Sequence, residues 1–156
     1  MNKLLLTIFC LFVLPVFAQV PVKKDATLKS DLLSPVPLRE AQHAEVDEIF
    51  QVLEKHISGG SARSLIGFVG SQIFLDMAGG KQGYFSSNQA LPLLENFFVQ
   101  HKPLSFKFTS VNQRAPSPFA TGKLEYQNKG KKESTHVYVA LTKRDSLWVM
   151  TQFTIY

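Results

Sequence analysis

Cysteine is nearly absent from this chain: Cys10 is the only one among 156 residues, and it lies inside an apolar run near the N-terminus. That excludes a disulfide framework, and it leaves the rest of the chain without a thiol nucleophile or a cysteine metal ligand. Long hydrophobic runs are missing as well. The longest, Leu4 to Leu14, is interrupted by Pro15 and is shorter than the ~20 residues that cross a bilayer. No glycine-rich phosphate loop, nucleophile elbow or metal-ligand spacing occurs. His43 and His56 are too far apart on one helix to share an ion, His101 falls at a helix C-terminus, and His136 sits in mid-strand.

What is present begins with MNKLLLTIFCLFVLPVFAQV. A lysine, an apolar stretch and small residues before Gln19 have the layout of a secretory signal, with cleavage expected between Ala18 and Gln19. The expected location is therefore periplasmic or extracellular. Gln19 to Pro37 has no regular period and reads as a tether, in which Leu28, Leu32, Leu33 and Val36 could pack down on the domain. The remaining length suits one domain from Leu38 to Tyr156.

The formal charge of +5 is unevenly spread. Acids dominate Glu40 to Glu54, whereas from Lys102 onward lysine and arginine far outnumber Glu125, Glu133 and Asp145. A basic half attracts anionic envelope polymers or nucleic acid, and export argues against nucleic acid.

Helical spacing of Val46, Ile49, Phe50, Leu53 and Ile57 predicts a first helix from Leu38, ended by Ser58-Gly59-Gly60. Ser61 is expected to cap a second short helix with Leu65, Phe68 and Val69 on its apolar face. A strand at Ile73–Met77 then pairs back on Tyr84-Phe85. Ser86-x-x-Gln89 is a capping-box pattern for a third helix, which Pro92 would delay to about Ala90. Four alternating segments follow, Leu104–Asn112, Phe119–Gln127, Lys132–Leu141 and Leu147–Tyr156, separated by turn residues. Three N-terminal helices covering a curved antiparallel sheet that ends in a four-strand meander make an α+β domain.

This order of elements, with "GGSARSLIGFV", "GYFSSNQALPLLENFF", "SFKF", "FATGKLEYQNKGKKESTHVYVAL" and "LWVMTQFTIY", resembles the nuclear transport factor 2-like superfamily, and within it a family of short exported bacterial proteins of unknown function. The resemblance implies a cystatin-like cone with an apolar cavity between sheet and helices. Superfamily members include isomerases, dehydratases, assembly domains and transport factors, so the fold alone does not choose a function. No motif carries a catalytic residue over, and no cofactor or metal is expected.

Asp76 is the acid embedded in an apolar strand. It is a candidate general base if it faces the cone, and an ordinary surface acid if it faces outward beside the turn. Pairing about Lys129-Gly130 sets Leu124 opposite Thr135 and Gly122 opposite Val137. Pairing about Arg144 sets Val139 opposite Val149 and Leu141 opposite Leu147. The outer face then carries a polar row of Lys107, Lys123, His136 and Gln152, beside an apolar patch of Phe119, Tyr138, Trp148 and Met150. Such a patch fits a homodimer or envelope-protein contact, a cover formed by the tether, or an error in the register. The alternative reading is a small apolar ligand bound in the cone, or turned over there as by an isomerase or dehydratase with Asp76 as the base.

Overall fold

The computed structural model describes residues 38–114 and 116–156. The signal expected at 1–18 and the tether at 19–37, with its docking segment, lie outside the described residues. Helix α1 (Leu38–Ser58) buries one stripe, with Val46, Phe50, Leu53 and Ile57 all at 2% exposure or less. It stops where expected. Gly59 and Gly60 donate their N–H groups back to Lys55 and Ile57, and Gly60 takes φ +66°, which costs glycine nothing.

The second helix is a 3-10 helix, Ala62–Phe68, rather than a capped α-helix. Ser61 makes no side-chain cap. The free N–H of Ala62 is instead taken by the Glu95 carboxylate at 2.9 Å, and Ser64 Oγ donates to the Ser61 carbonyl. With three residues per turn, Leu65 and Phe68 stack on one side, so Val69 is released to begin strand β1 (Val69–Met77). Strand β2 (Gln82–Ser86) pairs back on β1. Helix α2 (Ser87–Gln100) starts ahead of Ala90, because Gln89 Oε1 accepts from both the Ser86 N–H and its hydroxyl and so holds the first turn. Pro92 and Asn88 are exposed, so the carbonyl that lacks a proline N–H partner faces water.

Strands β3 (Lys102–Asn112), β4 (Phe119–Asn128), β5 (Lys131–Arg144) and β6 (Leu147–Ile155) form the meander. The meander is not a separate sheet: β1 joins β6 in parallel, giving one six-stranded mixed sheet of order β2-β1-β6-β5-β4-β3. The expected all-antiparallel sheet is corrected on this point. The parallel partners lie far apart in sequence, so local alternation carries no trace of them.

The helices cover one sheet face. Ile73, Leu75, Leu124, Val137, Val139, Leu141 and Phe153 point into the core against Phe50, Leu53, Leu94 and Phe98. Gly122 is required there, since a Cβ would lie 2.7 Å from the Phe106 ring and 2.6 Å from the Lys107 carbonyl. The edge strand β3 is tied to α1 by side chains. Ser58 Oγ accepts from the Phe106 N–H at 3.2 Å and Glu54 from the Phe108 N–H at 2.8 Å. These bonds cover part of an otherwise open edge.

The β4–β5 register is the one expected, with Leu124 opposite Thr135 and Gly122 opposite Val137. The β5–β6 register is not. The chain turns at Asp145-Ser146, both with positive φ, and the pairing shifts between Ala140 and Leu141. Ala140 faces Gln152 but Leu141 faces Met150, so Thr151 is an extra residue on β6. Alternation inverts across it: Trp148 and Met150 on one side, and Phe153 and Ile155 on the other, all point inward.

Candidate functional site

The bulge redistributes the candidate patch. Met150 is fully buried and Trp148 is 8% exposed, so both belong to the core and not to the outer face. Trp148 lies opposite Lys143, whose Nζ sits 5.5 Å from the indole centroid and is held by both oxygens of Glu45 on α1 at 2.8–2.9 Å. The Trp148 indole N–H is buried and has no acceptor among the described residues.

Phe119 and Tyr138 remain outside. They lie on the outer face of β4 and β5 as diagonal neighbours, stacked with centroids 5.6 Å apart and planes at 28°. Phe74 and Tyr84, on β1 and β2, form a second outward aromatic pair at 5.1 Å. The polar row also changes. Lys107, Lys123 and His136 are in register across β3, β4 and β5, but Gln152 lies opposite Ala140, and Tyr156 takes its place beside His136. The His136 and Tyr156 rings stack at 6.1 Å and 18°.

Asp76 faces outward, between the buried Leu75 and Met77, and accepts a hydrogen bond from Gln82 Nε2 at 3.0 Å. It cannot act as a base inside the cone. Among the described residues, no polar or charged side chain is fully buried, and no three His, Cys, Asp or Glu side chains converge as a metal site would require. No described helix is long and apolar enough to cross a membrane.

A polar cluster missed in the sequence occupies the concave rim at the β4–β5 end. Tyr126 and Glu133 are a direct cross-strand pair, and Tyr126 donates its hydroxyl to Glu133 Oε2 at 3.2 Å. Asn128 Nδ2 donates to the same oxygen at 3.3 Å. Burial, reinforced by the neighbouring Glu133, pushes the Tyr126 phenol above its ordinary value. His101, just past α2, stacks on Phe97 at 4.4 Å and meets Tyr126 edge-on at 5.1 Å. Its Nδ1 lies 3.1 Å from the Phe97 carbonyl, which can only accept, so Nδ1 carries the proton and Nε2 is left to other partners. The sequence signal was faint: a tyrosine and a glutamate equally spaced about a two-residue turn.

Two open clefts lie on the described surface. One of about 490 Å³ runs between His43 on α1 and Val111, Gln113, Arg114 and Phe119. Another of about 670 Å³ lies between Arg63, Ile66, Leu91 and Glu95.

Two α-helices and a 3-10 helix with one six-stranded mixed sheet make an α+β fold of the nuclear transport factor 2-like kind. Residues 50–156 match the family described as Domain of unknown function (DUF4783), and the chain belongs to that family. A DUF4783 family protein from Bacteroides uniformis superposes with TM-score 0.61 at 22% identity, covering 67% of this chain and 93% of its own. One from Bacteroides fragilis gives 0.60 at 17% identity, covering 67% and 93%. A hypothetical protein with a ketosteroid isomerase-like fold from Catenulispora acidiphila, in complex with trimethylamine, gives 0.56 at 11% identity, covering 70% and 84%. No curated protein sequence matches.

Proposed function

We propose that this protein is an exported, non-catalytic binding module that contacts a component of the bacterial cell envelope through the outer face of its sheet. The observation carrying the reading is the stacked Phe119–Tyr138 pair, which stands on the face opposite the helices. Aromatic side chains gathered on an open sheet face are characteristic of contact surfaces. A core filled by Phe50, Phe98, Phe153 and their neighbours, with no fully buried polar or charged side chain among the described residues, favours binding over acid–base chemistry. Hydroxyl-radical labelling tests the reading in intact cells and on the purified protein, with Tyr126 as the concave-side control. Selective protection of Phe119 and Tyr138 in cells is expected. Equal reactivity in both settings would refute it.

The rim cluster supports a second reading, a small organic cation held by Glu133 against the rings of His101 and Tyr126. Titration with trimethylammonium chloride should shift the Tyr126 ring resonances in the parent and not in Glu133→Gln. Absence of any shift disposes of this reading.

A further inference from the structure

The outer face carries charge as well as aromatic rings, and the two adjoin. Lys107 and Lys123 are direct cross-strand partners, both exposed. Like charges placed directly opposite destabilise a sheet, so this pairing carries a folding cost. The nearby carboxylate is Glu125, and it is already engaged: Lys132 Nζ lies 2.8 Å from Oε2 and Lys123 Nζ 3.6 Å from Oε1. Lys107 forms no ion pair with a described residue. His136 continues the row on β5, with the Tyr156 ring beside it, and Tyr138 follows two residues along the same strand. Asp76, the other carboxylate placed on this face, is two strands away from Tyr138 and bonded to Gln82.

We infer that this surface binds an anionic polysaccharide, a polymer carrying carboxylates on sugar rings; the inference deepens the outer-face reading and rests on it. Three parts of such a polymer find matching partners. Carboxylates meet the excess of ammonium groups at Lys107 and Lys123, on neighbouring strands roughly 4.8 Å apart. The C–H face of a sugar ring, weakly positive, meets the negative faces of Tyr138 and Phe119. Ring hydroxyls meet Thr121 and Thr154, which flank Tyr138 on the adjoining strands. A lipid surface would use the lysines but would leave the half-buried Tyr138 without a role. A second copy of this chain would bring the same lysines together and repel.

The test uses the full mature chain with soluble polygalacturonate as the probe and neutral dextran as control, read by calorimetry at low and moderate salt. Binding to polygalacturonate alone is expected, weakening with salt. Lys107→Gln with Lys123→Gln should lower affinity roughly 25-fold, taking about fivefold for each lysine near an anionic surface. Tyr138→Ser should lower it without changing the salt slope. No binding at low salt, or binding unchanged in the double-lysine variant, overturns the inference. So does equal affinity for phosphatidylglycerol vesicles, or self-association through this face. If radical labelling shows Phe119 and Tyr138 protected in cells while polygalacturonate does not bind, the polymer assignment fails and the outer-face reading stands.

Discussion

The placement of Trp148 decides how the last hairpin is read, and its replacement separates two contributions. Trp148 is 8% exposed, roofed by Lys143, and carries a buried N–H with no acceptor among the described residues. Trp148→Ala removes a large core side chain, at roughly 3–5 kcal/mol. For a domain of this size each kcal/mol moves Tm by roughly 3–6 °C, so a fall on the order of 10–30 °C is expected. Trp148→Phe behaves differently. It loses part of the ring area, on the order of 1 kcal/mol at 25 cal/mol per Å². It also removes an unsatisfied donor whose desolvation costs roughly 1–3 kcal/mol. The balance runs from zero to about 2 kcal/mol in favour of the variant, so Trp148→Phe should be as stable as the parent or slightly more stable. Urea unfolding followed by far-UV circular dichroism measures both variants. Because Trp148 is the only tryptophan, iodide quenching of the parent gives an independent reading and should be weak. A Trp148→Ala variant costing under about 1 kcal/mol, together with strong quenching, would place the indole outside and refute the bulge argument.

The remaining predictions concern the joints of the fold. Gly60→Ala should destabilise more than Gly79→Ala: both glycines have φ near +67° (+66° and +68°), but a Cβ at Gly60 would lie 2.7 Å from Pro103 Cδ and one at Gly79 meets nothing. The left-handed conformation costs each about 1–2 kcal/mol, and the difference in urea midpoints isolates the clash. Glu54→Ala should cost roughly 1–3 kcal/mol by stripping the Phe108 N–H of its acceptor, and should speed exchange of that amide, with Glu54→Gln costing less. Lys132, by its hydrogen bond and charge, with help from Lys123, holds the Glu125 carboxyl below the usual range. A depressed folded-state value gives stability that is complete above the unfolded value and lost as pH falls through the folded one. Lys132→Gln should therefore raise the Glu125 titration seen by NMR and flatten the acid limb of the stability curve.

Much of the architecture was legible because it is local. The stripe from Val46 to Ile57, the glycine stop, the capping box at Ser86 and the hairpin at Lys129-Gly130 each lie within a few turns or one hairpin. Errors arose where a distant partner or a single residue decides. The parallel β1–β6 pair joins segments separated by most of the domain, and Glu95 replaces the expected Ser61 cap from another helix. The bulge at Thr151 is one residue wide, yet it moves Trp148 and Met150 to the opposite face, because side chains in a strand alternate with period two. Half of the candidate patch, Phe119 and Tyr138, survives because it lies on the side of the meander that the bulge does not reach.

The charge asymmetry seen in the sequence takes on meaning once the partners of α1 are known. An acidic helix and a basic strand region would be expected to neutralise each other, leaving no directional field. They do so only in part, because three of the five acids of α1 are committed elsewhere. Asp47 accepts from Gln113, and Glu54 accepts from the Phe108 N–H on the edge strand. Glu45 pairs with Lys143, a lysine on the core-facing side. None of these three carboxylates pairs with Lys107, Lys123 or Lys132, so the neutralisation is spent on the helix-covered side and on the sheet edge. The outer face keeps an excess of ammonium groups with Glu125 as their nearby counter-charge. A surface of one sign steers oppositely charged partners before contact. The aromatic rings beside it, Tyr138 and Phe119, then supply the short-range attraction that charge alone does not.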